Sequence, residues 1–168
     1  YGSLRDRTSY CFTLRACHTR STVYLAIRMS KDKNHMRNGD IIYDIDRRRN
    51  VSGEKAFAEK LLNEKREDFT DGTSCAFSDI YHAKVLFHFH EYIRRMLEQE
   101  MSVQDLAEQL WMKNPDLVLI SNELGYGVVP MDVFDRNYRE TTGRVCTEIA
   151  SWADAVYRVV CGIGTKIK

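Results

Sequence analysis

The sequence predicts an α/β fold with a mainly parallel sheet, and its last third carries the main observations. Two apolar, β-branched runs, at residues 117–120 and 155–161, flank one amphipathic helical run. A glycine-rich segment follows each of the two apolar runs. This order is that of a βαβ unit, in which parallel strands point their carboxyl ends toward one edge of the sheet. Ligands bind at that edge in open α/β folds, so the Ser121–Pro130 turn is a candidate binding element.

Length and composition predict a single domain over residues 1–168. The chain is 43% hydrophobic and carries a net charge of +1. A chain of this size buries a core without disulfides or metals. The balanced charge argues against nucleic acid as a partner, and no apolar run is long enough for a membrane segment.

The cysteine pattern predicts a reduced, cytoplasmic setting. The chain has five cysteines, an odd number, and no Cys-x-x-Cys pair. A secreted disulfide framework uses an even set of cysteines, so this pattern does not fit one.

The first half of the chain alternates strand and helix signals. Val23–Ile27 reads as a short buried strand, and residues 40–46 fit either a strand or a helical turn. A helical run covers about residues 54–67, after Ser52-Gly53, and residues 74–80 show a weak strand pattern.

The second half is more strongly patterned. Apolar residues recur at helical spacing between His82 and Met101, which predicts one long helix. Ser102–Asp105 resembles a capped helix start, and that helix is predicted to run to Met112, before Asn114-Pro115-Asp116 ends it. Residues 117–120 form the clearest strand, residues 131–153 a helix, and residues 155–161 the final buried strand.

Several motifs in register resemble one enzyme family over residues 117–168. They are Ser121-Asn-Glu-x-Gly-x-Gly-x-x-Pro130, Arg136-x-x-Arg139, Gly143-Arg-Val145, Ala153-Asp-x-Val156, Val159-Val160 and Gly162-Ile-Gly-x-Lys-x-Lys168. They resemble the C-terminal part of the bifunctional adenosylcobinamide kinase/adenosylcobinamide-phosphate guanylyltransferases of cobalamin biosynthesis. Val23-Tyr-Leu-Ala26 also resembles the family's second strand, so the likeness is strong in the last third and weaker elsewhere.

The resemblance implies a P-loop NTPase-like, three-layer nucleotide-binding domain. Members of that family phosphorylate the aminopropanol hydroxyl of adenosylcobinamide and then transfer GMP to that phosphate through a guanylylated histidine. It further implies GTP or ATP with Mg²⁺ as cofactors, a corrinoid substrate and a homo-oligomer.

By the same resemblance, the phosphate cradle lies near the beginning of the chain. A P-loop binds phosphates through backbone N–H groups, a lysine and a Mg²⁺-binding hydroxyl. The implied nucleotide-binding residues are Gly2, Ser3, Leu4, Arg5, Asp6, Arg7 and Thr8, with Thr8 also at the metal. Asp6 stands where the family has glycine, and Arg7 where it has lysine, which adds a negative charge and replaces a compact ammonium. A frayed basic N-terminus is the alternative interpretation.

The guanylylation segment departs further from the family. The family carries a histidine three residues after an isoleucine, whereas here Ile45 leads to Arg48. An imidazole nitrogen can attack an α-phosphate, but a guanidinium stays protonated and has no free lone pair. Arg48, the catalytic position, and Arg49 can still bind phosphate, and His35 takes the role only if the alignment shifts. A solvated basic loop is the alternative.

Other site residues are implied more loosely. The resemblance suggests nucleotide contacts at Ile27, Arg28, Met29 and Glu59. Asp79 falls near the family's acidic residue after the third strand, and is expected to act in catalysis and to bind Mg²⁺. A capping role for Asp79 and a solvated helix charge for Glu59 are the alternatives.

The carboxyl edge of the predicted sheet and the helix at residues 131–153 carry further candidate site residues. Asn122 and Glu123 either line a site or satisfy the turn at residues 125–127. Arg136 and Arg139 share a helix face, and we expect them to pair with nearby carboxylates or to meet phosphate across a subunit boundary. Gly143 is expected to allow close helix packing.

The histidine-rich segment raises the question of a metal site. His82, His88, His90 and Cys75 carry suitable ligand atoms. On a helix, positions 88 and 90 point about 200° apart, which argues against their sharing one ion.

Three functions remain in competition. The first is an enzyme of the resembled family. The second is a catalytically impaired relative that binds nucleotide or a corrinoid as a partner protein, motivated by Asp6, Arg7 and Arg48. The third is an α/β domain that shares only the scaffold. Because the matches stay in register to Lys168, we favour the first.

Overall fold

The computed structural model describes residues 22–25, 42–44, 53–62, 69–125, 128–160 and 163–168. The strands are β1 Thr22–Leu25, β2 Ile42–Asp44, β3 Phe69–Asp71, β4 Val85–Phe87, β5 Val118–Glu123, β6 Tyr157–Val160 and β7 Ile163–Lys166. The helices are α1 Gly53–Leu62, α2 Phe89–Glu98, α3 Leu106–Lys113 and α4 Val133–Trp152. The strands form one sheet in the order β3-β4-β5-β1-β6-β7, with β2 also paired to β5. The predicted α/β class is confirmed.

The parallel part of the sheet contains β2, β3, β4 and β5. Val85 of β4 lies opposite Phe69 of β3 and Val118 of β5, and Ile42 of β2 lies opposite Ile120. Because these ladders are parallel, the carboxyl ends of β3, β4 and β5 face the same edge, and β5 extends beyond the other two.

The rest of the sheet is joined by antiparallel ladders. β1 lies between β5 and β6 and runs antiparallel to both, with Val23 opposite Asn122 and Val159. β5 and β6 therefore point the same way and are linked by α4, which confirms the predicted βαβ unit with β1 inserted between its strands. The glycine-containing tail adds β7, which pairs with β6. Gly164 is needed there, because an added Cβ would lie 2.2 Å from the ring of Phe57 in α1.

The core lies between the sheet and its helices. α2 packs on β5 and α4, α3 packs on α4, and α1 packs on β2, β6 and β7. The largest fully buried side chains are Tyr92, Phe89, Ile80, Leu86, Ile93, Leu110 and Leu117. Within the described ranges, no helix combines the length and the apolar character that a membrane crossing requires.

The structure corrects the predicted helix between residues 82 and 101. Residues 85–87 form the strand β4, all three side chains are buried, and α2 begins only at Phe89. A short apolar run does not distinguish a buried strand from a buried helix by periodicity alone. Pairing with β3 and β5 decides this case, since it satisfies the backbone of β4 on both sides.

The weak strand predicted at residues 74–80 is also wrong. That segment forms turns and a short 3-10 helix at Asp79–Tyr81, and the strand β3 lies just before it. By contrast, the ambiguous segment at residues 40–46 contains the strand β2. The helix expected from Ser102 begins at Leu106 and ends at Lys113. The next residue, Asn114, donates from its side-chain amide to the carbonyls of Ile80 and Ala83.

Candidate functional site

Polar side chains gather where β3, β4 and β5 end. Asp71 is the last residue of β3, His88 directly follows β4, and Asn122 lies near the end of β5. His90, the second residue of α2, completes the group. The parallel register brings these residues together, although they are as far apart in sequence as β3 and β5.

Asp71 and His88 form a hydrogen-bonded pair. Nδ1 of His88 lies 3.0 Å from Oδ1 of Asp71, and the same oxygen accepts from the backbone N–H and the hydroxyl of Thr73, each at 2.9 Å. Burial acts to raise the pKa of Asp71, but the bonds from Thr73 and His88 outweigh it and lower that pKa below its ordinary value of 3.8. Asp71 is therefore ionised at neutral pH and only accepts, so Nδ1 of His88 carries the proton. In the neutral ring, Nε2 then holds a lone pair.

The backbone around this pair is held closely. His88 has φ 56° and ψ 40°, in the left-handed region that costs a non-glycine residue about 1–3 kcal/mol. Gly72 donates its N–H to the carbonyl of Phe87 at 2.8 Å, and a Cβ on Gly72 would lie 2.5 Å from the carbonyl oxygen of His88. Arg95 in turn donates to the carbonyl of Gly72 at 3.0 Å. Only a glycine at position 72 lets the ends of β3 and β4 approach this closely.

His90 fastens the start of α2 to β5. Its side chain is buried, and its Nδ1 accepts from the backbone N–H of Asn122 at 3.1 Å. Nε2 lies 3.6 Å from a carboxylate oxygen of Glu91. Because Nδ1 accepts, the ring proton of neutral His90 lies on Nε2, which is the opposite tautomer to that of His88.

The positions of the two histidines correct the expected geometry. The ring centroids of His88 and His90 lie only 5.9 Å apart, because His88 precedes α2 instead of lying within it. Among the described residues, however, no group of three or more histidine, cysteine, aspartate or glutamate side chains is arranged to hold a metal ion.

Of the residues predicted to contact the nucleotide, to bind Mg²⁺ or to act in catalysis, two lie in the described part of the chain. Asp79 is exposed and begins the 3-10 helix, where its Oδ2 accepts from the N–H of Ala76 at 2.9 Å. Glu59 lies within α1 and is partly buried. The remaining predicted residues lie outside the described ranges. These are Gly2, Ser3, Leu4, Arg5, Asp6, Arg7, Thr8, Ile27, Arg28, Met29, His35, Arg48 and Arg49.

The arginines of α4 bind loop carbonyls. Arg136 donates from one Nη to the carbonyls of Pro130 and Met131, at 3.1 and 2.6 Å, and Arg139 donates to the carbonyl of Gly125. The two arginines therefore hold the loop after β5 against α4. From the sequence we expected carboxylate partners or phosphate for them, and not these loop carbonyls. A groove of about 920 Å³ runs between this loop and α4.

Gly143 does not serve the packing role expected from the sequence. A Cβ built on Gly143 meets nothing within 4 Å, because this face of α4 lines the open groove. The expectation of close helix packing at this position is wrong.

Sequence reasoning missed Asp71, Gly72 and His88 as a unit. The available signal was an Asp-Gly pair after a short apolar run and a His-Phe-His segment after another. Assigning the second run to a helix concealed that both signals follow strands and reach one edge. Chemically, the pair offers an ionised carboxylate and an imidazole nitrogen able to take up a proton.

Comparison with known proteins identifies the family. The sequence model of the family described as cobinamide kinase / cobinamide phosphate guanyltransferase matches residues 14–167, well beyond the last third of the chain. The bifunctional adenosylcobalamin biosynthesis protein CobU of Escherichia coli is 46% identical over 80 residues, which cover 46% of this chain and 44% of that protein.

CobU of Salmonella typhimurium is 48% identical over 52 residues, which cover 31% of this chain and 29% of that protein. The chain thus spans less than half the length of the curated relatives that it matches. The family's P-loop NTPase-like α/β class agrees with the parallel strands described above. Because the family match covers most of the chain, the chain belongs to the cobinamide kinase / cobinamide phosphate guanyltransferase family.

Proposed function

We propose that this protein phosphorylates the aminopropanol hydroxyl of adenosylcobinamide with ATP or GTP, as a step in cobalamin biosynthesis. The observation that carries the proposal is the family match over residues 14–167. The polar edge formed by Asp71, His88 and Asn122 supports it, since ligands bind at the carboxyl ends of strands in open α/β folds.

The nucleotide is proposed to bind at residues 2–8, in a single nucleotide-binding domain. Backbone N–H groups of this segment and the Arg7 guanidinium would contact the phosphates. Ile27, Arg28, Met29, Arg49 and Glu59 are the further proposed nucleotide contacts.

Mg²⁺ is proposed to accompany the nucleotide, with Thr8 and Asp79 as its protein ligands. Mg²⁺ typically takes only one or two carboxylates and completes its shell with water and phosphate oxygens. Asp79 fits this requirement, since it is exposed and, within the described ranges, its Oδ1 accepts only a long bond of 3.5 Å from the Ser78 hydroxyl. When bound, the ion would offset the negative charge of the phosphates.

Guanylyl transfer is the less supported half of the family's activity. Arg48 cannot carry GMP covalently, because a guanidinium lacks a nucleophilic lone pair at neutral pH. We propose that Arg48 and Arg49 instead contact the phosphate of the nucleotide or of the phosphorylated corrinoid. His35 would replace the family's histidine only under a shifted alignment.

The setting is proposed to be cytoplasmic and the assembly a homo-oligomer. The odd number of cysteines supports a reducing compartment. Large apolar side chains stand exposed on the loop after β5 and at the start of α4, and such patches are common at subunit interfaces. They are Val128, Val129, Met131 and Val133. Sedimentation equilibrium of the wild type and of Met131→Asp would test this, and a monomeric wild type would contradict it.

The kinase proposal is tested by direct product detection. The full chain is incubated with Mg-ATP or Mg-GTP and adenosylcobinamide, and the product is weighed by mass spectrometry. We expect a phosphorylated corrinoid from the wild type, its loss in Thr8→Ala, and its retention in Thr165→Ala, a control at an exposed tail position.

The outcome also decides between the enzyme and its impaired relative. Calorimetric binding of nucleotide or adenosylcobinamide without any phosphorylated product would support the partner-protein alternative motivated by Asp6, Arg7 and Arg48. Absence of both binding and product would contradict each of them.

A further inference from the structure

We propose that His88 is the general base of the phosphoryl-transfer step and that Asp71 is its positioning residue. This inference rests on the proposed kinase function and adds to it a residue that takes the proton from the acceptor hydroxyl. Its basis is the geometry of the Asp71–His88 pair at the carboxyl edge of β3, β4 and β5.

The first argument is the state of the imidazole. Asp71 accepts three hydrogen bonds on one oxygen, from Thr73 twice and from His88. This arrangement fixes the Nδ1–H tautomer of His88 and leaves Nε2 as the basic atom. The side chain of His88 is 32% exposed, and among the described residues no polar atom forms a hydrogen bond with its Nε2. A substrate hydroxyl can therefore reach it.

The second argument is preorganisation. His88 adopts a left-handed backbone conformation. The carbonyl oxygen of His88 lies close to Gly72, in the space that the Cβ of any other residue at position 72 would fill. Phe87 and Arg95 hold Gly72 on both sides. A base held this firmly loses little entropy when the acceptor binds, so its orientation is set before substrate arrives.

The third argument is the contrast with His90. His90 is 4% exposed and its Nδ1 already accepts from Asn122, so it has a structural role. Of the two neighbouring rings, only His88 offers a basic nitrogen toward solvent.

In the proposed step, Nε2 of His88 takes the proton of the corrinoid hydroxyl as its oxygen forms a bond to the γ-phosphorus. The bond between the γ-phosphorus and the β–γ bridging oxygen breaks, and the nucleoside diphosphate leaves with that electron pair. His88 then returns the proton to solvent. The protein kinases use an aspartate for the same purpose, which shows that a positioned base suits this chemistry.

Other titratable or charged groups near the pair bear on its pH dependence. Within the described part of the chain they are Cys75 in the turn after β3, and His90, Glu91 and Arg95 on α2. Because His90 lies beside His88, with ring centroids 5.9 Å apart, the assignment requires variants at both positions.

The test is the pH profile of kcat for the full chain with Mg-nucleotide and adenosylcobinamide, from about pH 5.5 to 9. Wild-type kcat should fall toward acid pH, because a protonated imidazole accepts no proton. His88→Asn is the conservative variant: asparagine tolerates the left-handed conformation and can donate to Asp71, but it is not a base. We expect its kcat to drop by about 100-fold or more, with KM little changed and the acid limb absent.

Two controls, at His82 and His90, and two further variants, at Asp71 and His88, complete the test. His82→Asn, at an exposed position outside the pair, should behave as the wild type. Asp71→Asn should lower kcat and shift the acid limb, while His90→Asn should keep that limb. His88→Gly, which suits the left-handed backbone, should regain activity when imidazole is added.

The results separate this inference from the function on which it rests. If wild-type phosphorylation is present and His88→Asn keeps wild-type kcat and its acid limb, the base assignment falls and the kinase function stands. Failure of imidazole to restore a folded His88→Gly also counts against the assignment. If the wild type forms no phosphorylated corrinoid, both proposals fall.

Discussion

The Nδ1 atom of His90 accepts a hydrogen bond from the backbone N–H of Asn122 at 3.1 Å, and only 4% of His90 is exposed. This contact joins the first turn of α2 to the carboxyl end of β5. Because His90 is buried, the loss of this hydrogen bond has a measurable cost.

His90→Ala is expected to destabilise the fold by about 2 kcal/mol or more, because it leaves a buried N–H without its acceptor and opens a cavity. His90→Asn keeps an acceptor near the position of Nδ1 and should lose less. Urea unfolding followed by circular dichroism measures both, with the exposed His82→Ala as the control. Equal stability of His90→Ala and the wild type would contradict the structural role of the bond.

Two glycines should respond in opposite directions to the same substitution. Gly72→Ala places a Cβ 2.5 Å from a backbone oxygen, which cannot move away freely, and should cost about 1–3 kcal/mol. Gly143→Ala meets nothing within 4 Å on an exposed helix face, and should add about 0.5–1 kcal/mol through helix propensity. Thermal melts of the two variants beside the wild type provide the comparison. A stabilising Gly72→Ala would show that β3 and β4 end farther apart.

The loop after β5 should loosen when either arginine of α4 is removed. Arg136→Ala and Arg139→Ala each delete hydrogen bonds to loop carbonyls. If the free energy of opening the loop falls by about 1 kcal/mol, amide exchange should accelerate about fivefold. Hydrogen exchange of the peptide covering residues 124–132 measures this.

Arg144→Ala is the matched control for the loop experiment, since Arg144 forms a surface ion pair with Glu140 at 2.5 Å and, among the described residues, has no bond to the loop. Exposed pairs of this kind contribute little, so exchange in the loop should not change. The same acceleration in all three variants would mean that the arginines act through general helix stability.

Asp71 should make the stability of the fold depend on pH in the acid range. Its pKa is lower in the folded protein than the ordinary value of 3.8, with burial opposing and the bonds from Thr73 and His88 producing the shift. A carboxyl group whose pKa is lower in the folded state than in the unfolded state stabilises the fold at any pH above its unfolded pKa. This stabilisation is lost as the pH falls through the folded pKa. The wild type should therefore exceed Asp71→Asn in Tm at neutral pH, and the difference should shrink below about pH 3.8.

Glu98→Gln serves as the comparison for that titration, because Glu98 lies exposed on α2 in an i,i+4 pair with Arg94. Its difference from the wild type should be small across the range. A Tm gap for Asp71→Asn that persists unchanged at the lowest pH would argue against an ionised Asp71.

The fold class, the βαβ unit of the last third and the family were predictable from local pattern. The apolar runs at β5 and β6, the amphipathic α4 with its buried Tyr138, Val145 and Ile149, and the motifs up to Lys168 are all readable in order along the chain. Their physical basis is local, since strand and helix periodicities appear within a single segment.

Other features were decided only by tertiary structure, because they depend on which strands become neighbours. Residues 85–87 are a strand because β3 and β5 flank them, and β1 runs antiparallel between β5 and β6. The Asp71–His88 pair exists because two parallel strands end at one level. The periodicity of a single segment does not encode a contact between two strands. The sequence by itself therefore determined the fold class and the family, while the register of the sheet determined which side chains lie together at its carboxyl edge.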